Sequence, residues 1–225
     1  MTLTNSYIND NIKVLSSITY NQEELQKHYY ELCEKGKKKP YCENICGRTN
    51  FNYKKEIIND PCFRCICSAC IDHGSHQHSL DGHELIVNVH HYKNPEVLRI
   101  INELEPIIGK TDKSSRVSFW IYKPFFNLPP HKDFSRQNVV LLPILPNDGG
   151  VGTYIYSENL PVISLPKFKT IEHNDDYVIT EYKYSTKHPT LCNYGPSGVI
   201  HGCINDNNVR VYLHIQTKIN IFDEG

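Results

Sequence analysis

The chain reads as a mainly β protein: an antiparallel sandwich or barrel, preceded by N-terminal helices and a small Cys/His module. Three observations predict this. From Arg116 onward, short apolar runs alternate with separators rich in Pro, Gly, Asn and Asp, the pattern of strands joined by turns. Seven of the nine cysteines fall between Cys33 and Cys70, and such a dense local cluster is the mark of a metal site. Before Arg116, two segments carry apolar residues at helical spacing. A length of 225 residues suits one generous domain with an appendage. The expected division is a helical segment over 1–40, a Cys/His-rich module over 41–92 and a β domain over 93–225.

The elements follow in order. Residues 17–34 predict a helix, with Leu25, Tyr29 and Leu32 on one face and Asn21 and Glu24 as a capping box. Gly36 and Pro40 punctuate its end, and Lys37, Lys38 and Lys39 read as a solvated terminus favoured by the helix dipole. Residues 41–83 show little hydrophobic periodicity, so this stretch needs a staple rather than a core. Leu85–Val89 predicts a short strand, and Pro95–Ile108 a helix presenting Val97, Leu98, Ile101, Leu104 and Ile108. The strand candidates after Arg116 are VSFWIY, NVVLLPIL, TYIYS, PVISL, DYVITEY, PTLCNY, GVIH and VRVYLHIQ. The segment Lys167–Lys187 is polar and irregular enough to form a loop or lid.

Composition narrows the function. The 24 Lys+Arg balance 25 Asp+Glu for a net charge of −1, which disfavours non-specific nucleic-acid binding by charge. Hydrophobic residues make up 39% of the chain, too many for wholesale disorder. No stretch approaches the ~18–20 apolar residues that span a bilayer, and the polar start MTLTNSYINDNIK lacks the order of a signal peptide. The expectation is a cytoplasmic or nuclear protein that keeps its thiols reduced and has no membrane partner.

The chemistry concentrates in the β-rich part. The segment PPHKDF places His131 and Asp133 two residues apart, so on a strand both project to one face. Seventy residues later, GVIHGCINDNNVRVYLHIQ supplies His201. Two histidines and one carboxylate form the facial ligand set that leaves adjacent metal positions open. The turn Asn205-Asp206-Asn207-Asn208 returns the chain along Val209–Gln216, with Arg210, Tyr212 and His214 on one face and Val211, Leu213 and Ile215 on the other. An inward guanidinium needs a partner, and a carboxylate-bearing co-substrate supplies a bidentate one.

In these residues the chain resembles the Fe(II)/2-oxoglutarate-dependent dioxygenases. Their pattern is His-x-Asp, a distal His, and an Arg or Lys about ten residues beyond it. His131, Asp133, His201 and Arg210 match it in order, and the resemblance covers about residues 116–220. It implies a double-stranded β-helix (jelly roll), with iron on His131, Asp133 and His201 and the distal carboxylate of 2-oxoglutarate on Arg210. The implied reaction is oxidative decarboxylation of 2-oxoglutarate coupled to hydroxylation of a substrate C–H bond. Tyr122 and Tyr212 either donate to 2-oxoglutarate or are amphipathic tyrosines at a sheet surface. Asn138 either orients the co-substrate or begins a strand. Trp120, the single tryptophan, reads as core.

The cysteine segment runs Cys42-x3-Cys46, then Cys62-x2-Cys65-x-Cys67-x2-Cys70, then His73, His76, His78 and His83. Structural Zn takes four Cys or His ligands, so the six cysteines with two histidines, His76 and His78, would fill two sites. Cys33, His73 and His83 are alternatives. The segment resembles small cross-braced zinc modules of the ZZ, B-box and UBR-box type. Only one residue separates Cys65 from Cys67, and the later cysteines of a full UBR box are missing, so peptide binding is not carried over. The Pro61-Cys62-x2-Cys65 echo of zinc deaminases fails, because no His-x-Glu precedes it. Neither an HExxH, a G-x-S-x-G nor a phosphate-binding loop occurs.

The leading expectation is an Fe(II)/2-oxoglutarate oxygenase with a zinc module, acting on a protein side chain rather than on nucleic acid. Its rivals are a non-enzymatic zinc-finger adaptor with a jelly-roll binding domain, and a metal-dependent cupin that does not use 2-oxoglutarate. Geometry separates them first: His131, Asp133 and His201 must converge on one point.

Overall fold

A computed structural model of the chain describes residues 2–37, 75–79, 83–87, 94–109, 117–133, 138–150, 152–160, 175–217 and 221–222. In chain order the elements are α1 (Thr2–Asn11), β1 (Ile12–Val14), α2 (Gln22–Lys37), β2 (Ser75–Ser79), β3 (His83–Val87) and α3 (Pro95–Ile108). Then come β4 (Val117–Tyr122), β5 (Asn127–His131), β6 (Asn138–Leu145), β7 (Thr153–Tyr156) and a 3-10 turn at Asp175–Tyr177. The last four strands are β8 (Val178–Tyr182), β9 (Thr190–Asn193), β10 (Ile200–Ile204) and β11 (Arg210–Thr217).

The strands form a seven-stranded sheet, β1-β9-β6-β11-β4-β3-β2, and a four-stranded sheet, β5-β10-β7-β8. Every strand pairing described is antiparallel. From β4 the chain passes to the small sheet at β5, back at β6, and across again at β7; β8 stays in the small sheet beside β7, and the chain then alternates through β9, β10 and β11. This winding is jelly-roll-like, as expected. Strands from 1–40 (β1) and from 41–92 (β2, β3) join the large sheet of the β domain.

Strand alternation divides the large sheet into two faces. Val117, Phe119 and Ile121 of β4 and Val211, Leu213 and Ile215 of β11 pack in one cluster with the helices. Trp120, Tyr122 and Tyr212 belong to a second cluster, which also holds Ile155 and Cys203 of the small sheet. The space between the sheets is therefore where the site forms.

The helices back the outer face. α3 begins at Asn94, whose Oδ1 accepts from the Val97 amide at 3.0 Å, with Pro at the first helical position. Val97, Ile100, Ile101, Leu104 and Ile108 are buried, each worth about 1.5–3 kcal/mol on transfer from water. Leu98, expected on this face, is exposed, and Ile100 takes its place. Successive helical residues turn by about 100°, which carries Leu98 off the stripe that starts at Val97. α2 starts at Gln22, five residues after the expected Ser17. Asn21 Oδ1 receives the Glu24 amide at 3.2 Å, while the amides of Leu15 and Tyr20 are already committed to Pro189 and Lys187 carbonyls.

The expected strand Leu85–Val89 begins earlier, at His83, and pairs with β4. PVISL and the first part of Lys167–Lys187 lie outside the described residues; the rest is not an irregular loop, because 178–182 forms β8 against β7. The alternation Val178, Thr180, Tyr182 favours a strand there. Of the zinc candidates, Cys42, Cys46, Cys62, Cys65, Cys67, Cys70 and His73 lie outside the described residues. At Cys33 in α2, His76 and His78 in β2, and His83 in β3, only the backbone is described. Among the described residues, no helix is long and apolar enough to cross a membrane.

Candidate metal centre

The small sheet brings the two histidines together by strand register. β10 pairs with β5 so that His201 lies opposite His131, and the register shifts between His201 and Cys203. Gly202 occupies that irregularity. A Cβ built on it would stand 2.6 Å from the Leu128 carbonyl oxygen, so only glycine allows this approach of the two strands.

Asp133 reaches the cluster by a different route from the one expected. β5 ends at His131, and Asp133 lies beyond the strand. Pro129 and Pro130 carry no amide for a ladder, and β5 is an edge strand of its sheet. The Asp133 amide instead donates to the Tyr194 carbonyl at 2.7 Å. The carboxylate still converges: Asp133 Oδ1 is 3.6 Å from His131 Nε2.

Among the described residues, His131, Asp133 and His201 are the group able to hold a metal ion, one ligand atom from each lying within 4.8 Å of the others. His131 Nδ1 faces the Pro129 carbonyl at 2.8 Å and His201 Nδ1 faces the Val199 carbonyl at 3.4 Å. A neutral ring donating from Nδ1 presents Nε2 as a lone pair, the usual arrangement of a ligand histidine. The two rings are 4.3 Å apart between centroids. His201 is buried, whereas His131 and Asp133 are half-buried.

A pocket of about 500 Å³, mouth included, contains all three residues. Arg210 lies in its wall and is among the largest fully buried side chains. Its Nη2 donates to the Tyr212 hydroxyl, while Nε and Nη1 are buried with no hydrogen-bond partner among the described residues. Burial opposes the Arg210 charge, but Tyr212, Cys203 and Tyr122 around it hold its pKa above the ordinary value. Burial pushes the Tyr212 phenol up, against the pull of Arg210. Cys203, also in the pocket wall, is raised by burial despite the neighbouring guanidinium. Both Tyr122 and Tyr212 line the pocket, with the Arg210 guanidinium carbon 5.8 Å and 5.1 Å from their ring centres. Asn138 is buried at the start of β6, opposite Thr217 and Asn193, and is not among the residues lining this pocket.

Sequence reasoning missed part of the wall. Tyr184 and Tyr194 share a hydrogen bond between hydroxyls, and the Tyr184 hydroxyl also bonds Thr153 Oγ1 at 2.8 Å. The Tyr194 ring stacks on His201, 3.8 Å between centroids and 10° from parallel. His214 stacks on Trp120 at 4.4 Å, so the tryptophan read as core also faces the pocket. The inward alternation of β11 gave a signal for His214. Tyr194 closes the expected strand PTLCNY, whose alternation with Cys192 was its signal, although β9 ends at Asn193; for Tyr184, beyond the end of β8, periodicity gives none.

No family model matches the chain, and no curated protein matches it by sequence. Solved structures that are similar include two prolyl hydroxylases. One is a prolyl-4-hydroxylase from Pseudomonas putida, 12% identical over 63% of this chain and 76% of that one, with a TM-score of 0.40. The other is a prolyl hydroxylase from Trichoplax adhaerens in complex with a hypoxia inducible factor oxygen degradation domain peptide fragment. It is 12% identical, with 96% of this chain and 88% of that one covered, at a TM-score of 0.48.

Proposed function

We propose that the protein is a metal-dependent oxygenase of the double-stranded β-helix type that uses Fe(II) and 2-oxoglutarate to hydroxylate a protein side chain. The observation that carries this reading is the buried Arg210, with open donors, in one pocket with the His131–Asp133–His201 cluster. A buried guanidinium with two unsatisfied nitrogens is costly, and a carboxylate offering two oxygens removes that penalty. The donor set of two imidazoles and one carboxylate suits Fe(II) and leaves room for co-substrate and oxygen.

In this reading His131, Asp133 and His201 hold the iron, and Arg210 with Tyr212 and Tyr122 grips the far carboxylate of 2-oxoglutarate. Held there, Fe(II) with 2-oxoglutarate and O₂ would supply the oxidising power for hydroxylation of a C–H bond, with succinate and CO₂ as co-products. The protein's own part is placement. The Pro129 and Val199 carbonyls fix the tautomers of the two histidines. The apolar and aromatic walls, Leu128, Leu141 and Trp120 among them, exclude water from the co-substrate. A protein as substrate rests on the sequence alone, on the dense cysteines and histidines of 42–83, a composition suited to a module that meets a macromolecular partner.

The test is succinate formation from 2-oxoglutarate with Fe(II) and ascorbate, screened with peptides, nucleic acids and small metabolites. We expect a peptide to stimulate turnover in the wild type, and His131→Ala and Arg210→Ala to abolish it. No metal-dependent succinate formation with any substrate would overturn the reading in favour of a binding module.

A further inference from the structure

One residue touches two of the three candidate ligands at once. Tyr194 stacks its ring on His201 with centroids 3.8 Å apart, and its carbonyl receives the Asp133 amide at 2.7 Å. Its own position is fixed from three sides. The loop between β9 and β10 closes on itself through Val199 N–H to the Asn193 carbonyl at 3.0 Å and Gly198 N–H to the Gly195 carbonyl at 2.9 Å. Any Cβ at residue 198 would lie 2.0 Å from the Asn193 oxygen, so the loop admits only glycine there. The Tyr194 hydroxyl is tied to Tyr184, and Tyr184 in turn to Thr153 of β7.

We propose that Tyr194 is the positioning residue of the metal centre: its ring sets the plane of the His201 imidazole, and its backbone sets the approach of Asp133. The inference rests on the metal-centre reading above. Asp133 lies past the end of its strand, so no ladder fixes it, and the bond to Tyr194 stands in for one. His201 Nδ1 faces the Val199 carbonyl at a long 3.4 Å. That contact by itself defines the ring plane loosely, whereas a parallel aromatic face at van der Waals distance defines it closely. Thr153, Tyr184 and Tyr194 thus form a brace from β7 to the β9–β10 loop that holds one ligand by stacking and a second by its backbone.

The test uses the full chain and Co(II) as the probe, followed by its visible absorption. The binding component that disappears in His131→Ala defines this centre and separates it from cobalt bound to cysteines. Loss of the stacked ring in Tyr194→Leu is expected to weaken that component by about 10-fold or more and to change its spectrum, as removal of ligand-orienting partners does elsewhere. Tyr194→Phe, which keeps the ring, should restore affinity to within about 3-fold of wild type, a small fraction of the loss expected when the orienting partner itself is removed. Should Tyr194→Leu fail to fold, Tyr194→Met carries the test, because it too removes the ring that stacks on His201 and keeps an apolar side chain. It should weaken Co(II) binding measurably and shift the band. Unchanged affinity and spectrum in the folded Tyr194→Leu, or in Tyr194→Met where that variant is decisive, overturns the proposal, as does Tyr194→Phe losing as much as Tyr194→Leu. If the wild type has no Co(II) component sensitive to His131, the metal-centre reading falls and this proposal falls with it.

Discussion

Arg210 is the residue whose energetics are most exposed to experiment. It is fully buried, yet two of its nitrogens have no hydrogen-bond partner among the described residues. A buried charge in that condition burdens the fold, and in the function proposed above it serves the co-substrate. Arg210→Met keeps the length and most of the volume and removes the charge. We expect its ligand-free thermal midpoint to equal or exceed that of the wild type. Affinity for 2-oxoglutarate, measured calorimetrically with Mn(II) in place of iron, should fall by about 10–100-fold, the worth of charge-assisted hydrogen bonds of about 1.5–3 kcal/mol. A midpoint several degrees lower would mean that Arg210 already serves the fold through Tyr212.

At the scale of elements, the β5–β10 pair makes the site, and Gly202 makes the pair. A methyl at Gly202 would meet the Leu128 carbonyl at 2.6 Å and the Pro129 carbonyl carbon at 3.2 Å. Both are backbone, so the strands must part rather than a side chain rotate. Gly202→Ala should therefore move His201 away from His131. The expected stability loss is about 1–3 kcal/mol by urea titration, and metal affinity should fall by about 10-fold or more, since ligands tolerate only about 0.5 Å of displacement. A folded variant with wild-type metal affinity would show that the pair is not what sets the ligand spacing. The same pair explains what could be read in advance. His131, His201 and the inward set Arg210, Tyr212 and His214 were legible because a strand exposes side chains with period two. Asp133 was legible as a partner of the two histidines, although the strand expected to carry it ends at His131. The roles of Tyr194 and Tyr184 were not legible, because they act from positions beyond strand ends, where tertiary hydrogen bonds decide the geometry. The start of α2 escaped for a similar reason: Leu15 and Tyr20 pair with 187–189, some 170 residues away in sequence.

At the scale of the whole molecule, the feature that matters is how many phenols and thiols the sheets enclose. Burial pushes the Cys192 thiol up to about 12. It raises Tyr184 and Tyr194 well above the ordinary phenol value, and Tyr212 above it as well. Tyr7 and Tyr182 rise to about 12 by the same cause. Each is neutral when protonated, and the folded state keeps its proton to higher pH than the unfolded state does. Below the unfolded values of 9.0 for the thiol and 10.0 for a phenol, both states are protonated and stability is fully present. Above them the unfolded chain sheds protons that the folded chain retains, so stability falls steadily until the folded values are reached. A fully buried group contributes a slope of about 1.4 kcal/mol per pH unit inside its window. Urea titrations at constant ionic strength should thus show a midpoint that is level from pH 7.5 to about 9 and then falls with increasing steepness, the thiols acting first and the phenols joining from about 10. Cys192→Val combined with Cys203→Val removes both thiols that burial raises, and its curve should stay level for roughly one further pH unit, the gap between the ordinary thiol and phenol values. A wild-type midpoint that holds level to pH 10.5, with an unchanged m value, would mean that these groups reach solvent and that the space between the sheets is wetter than its packing implies.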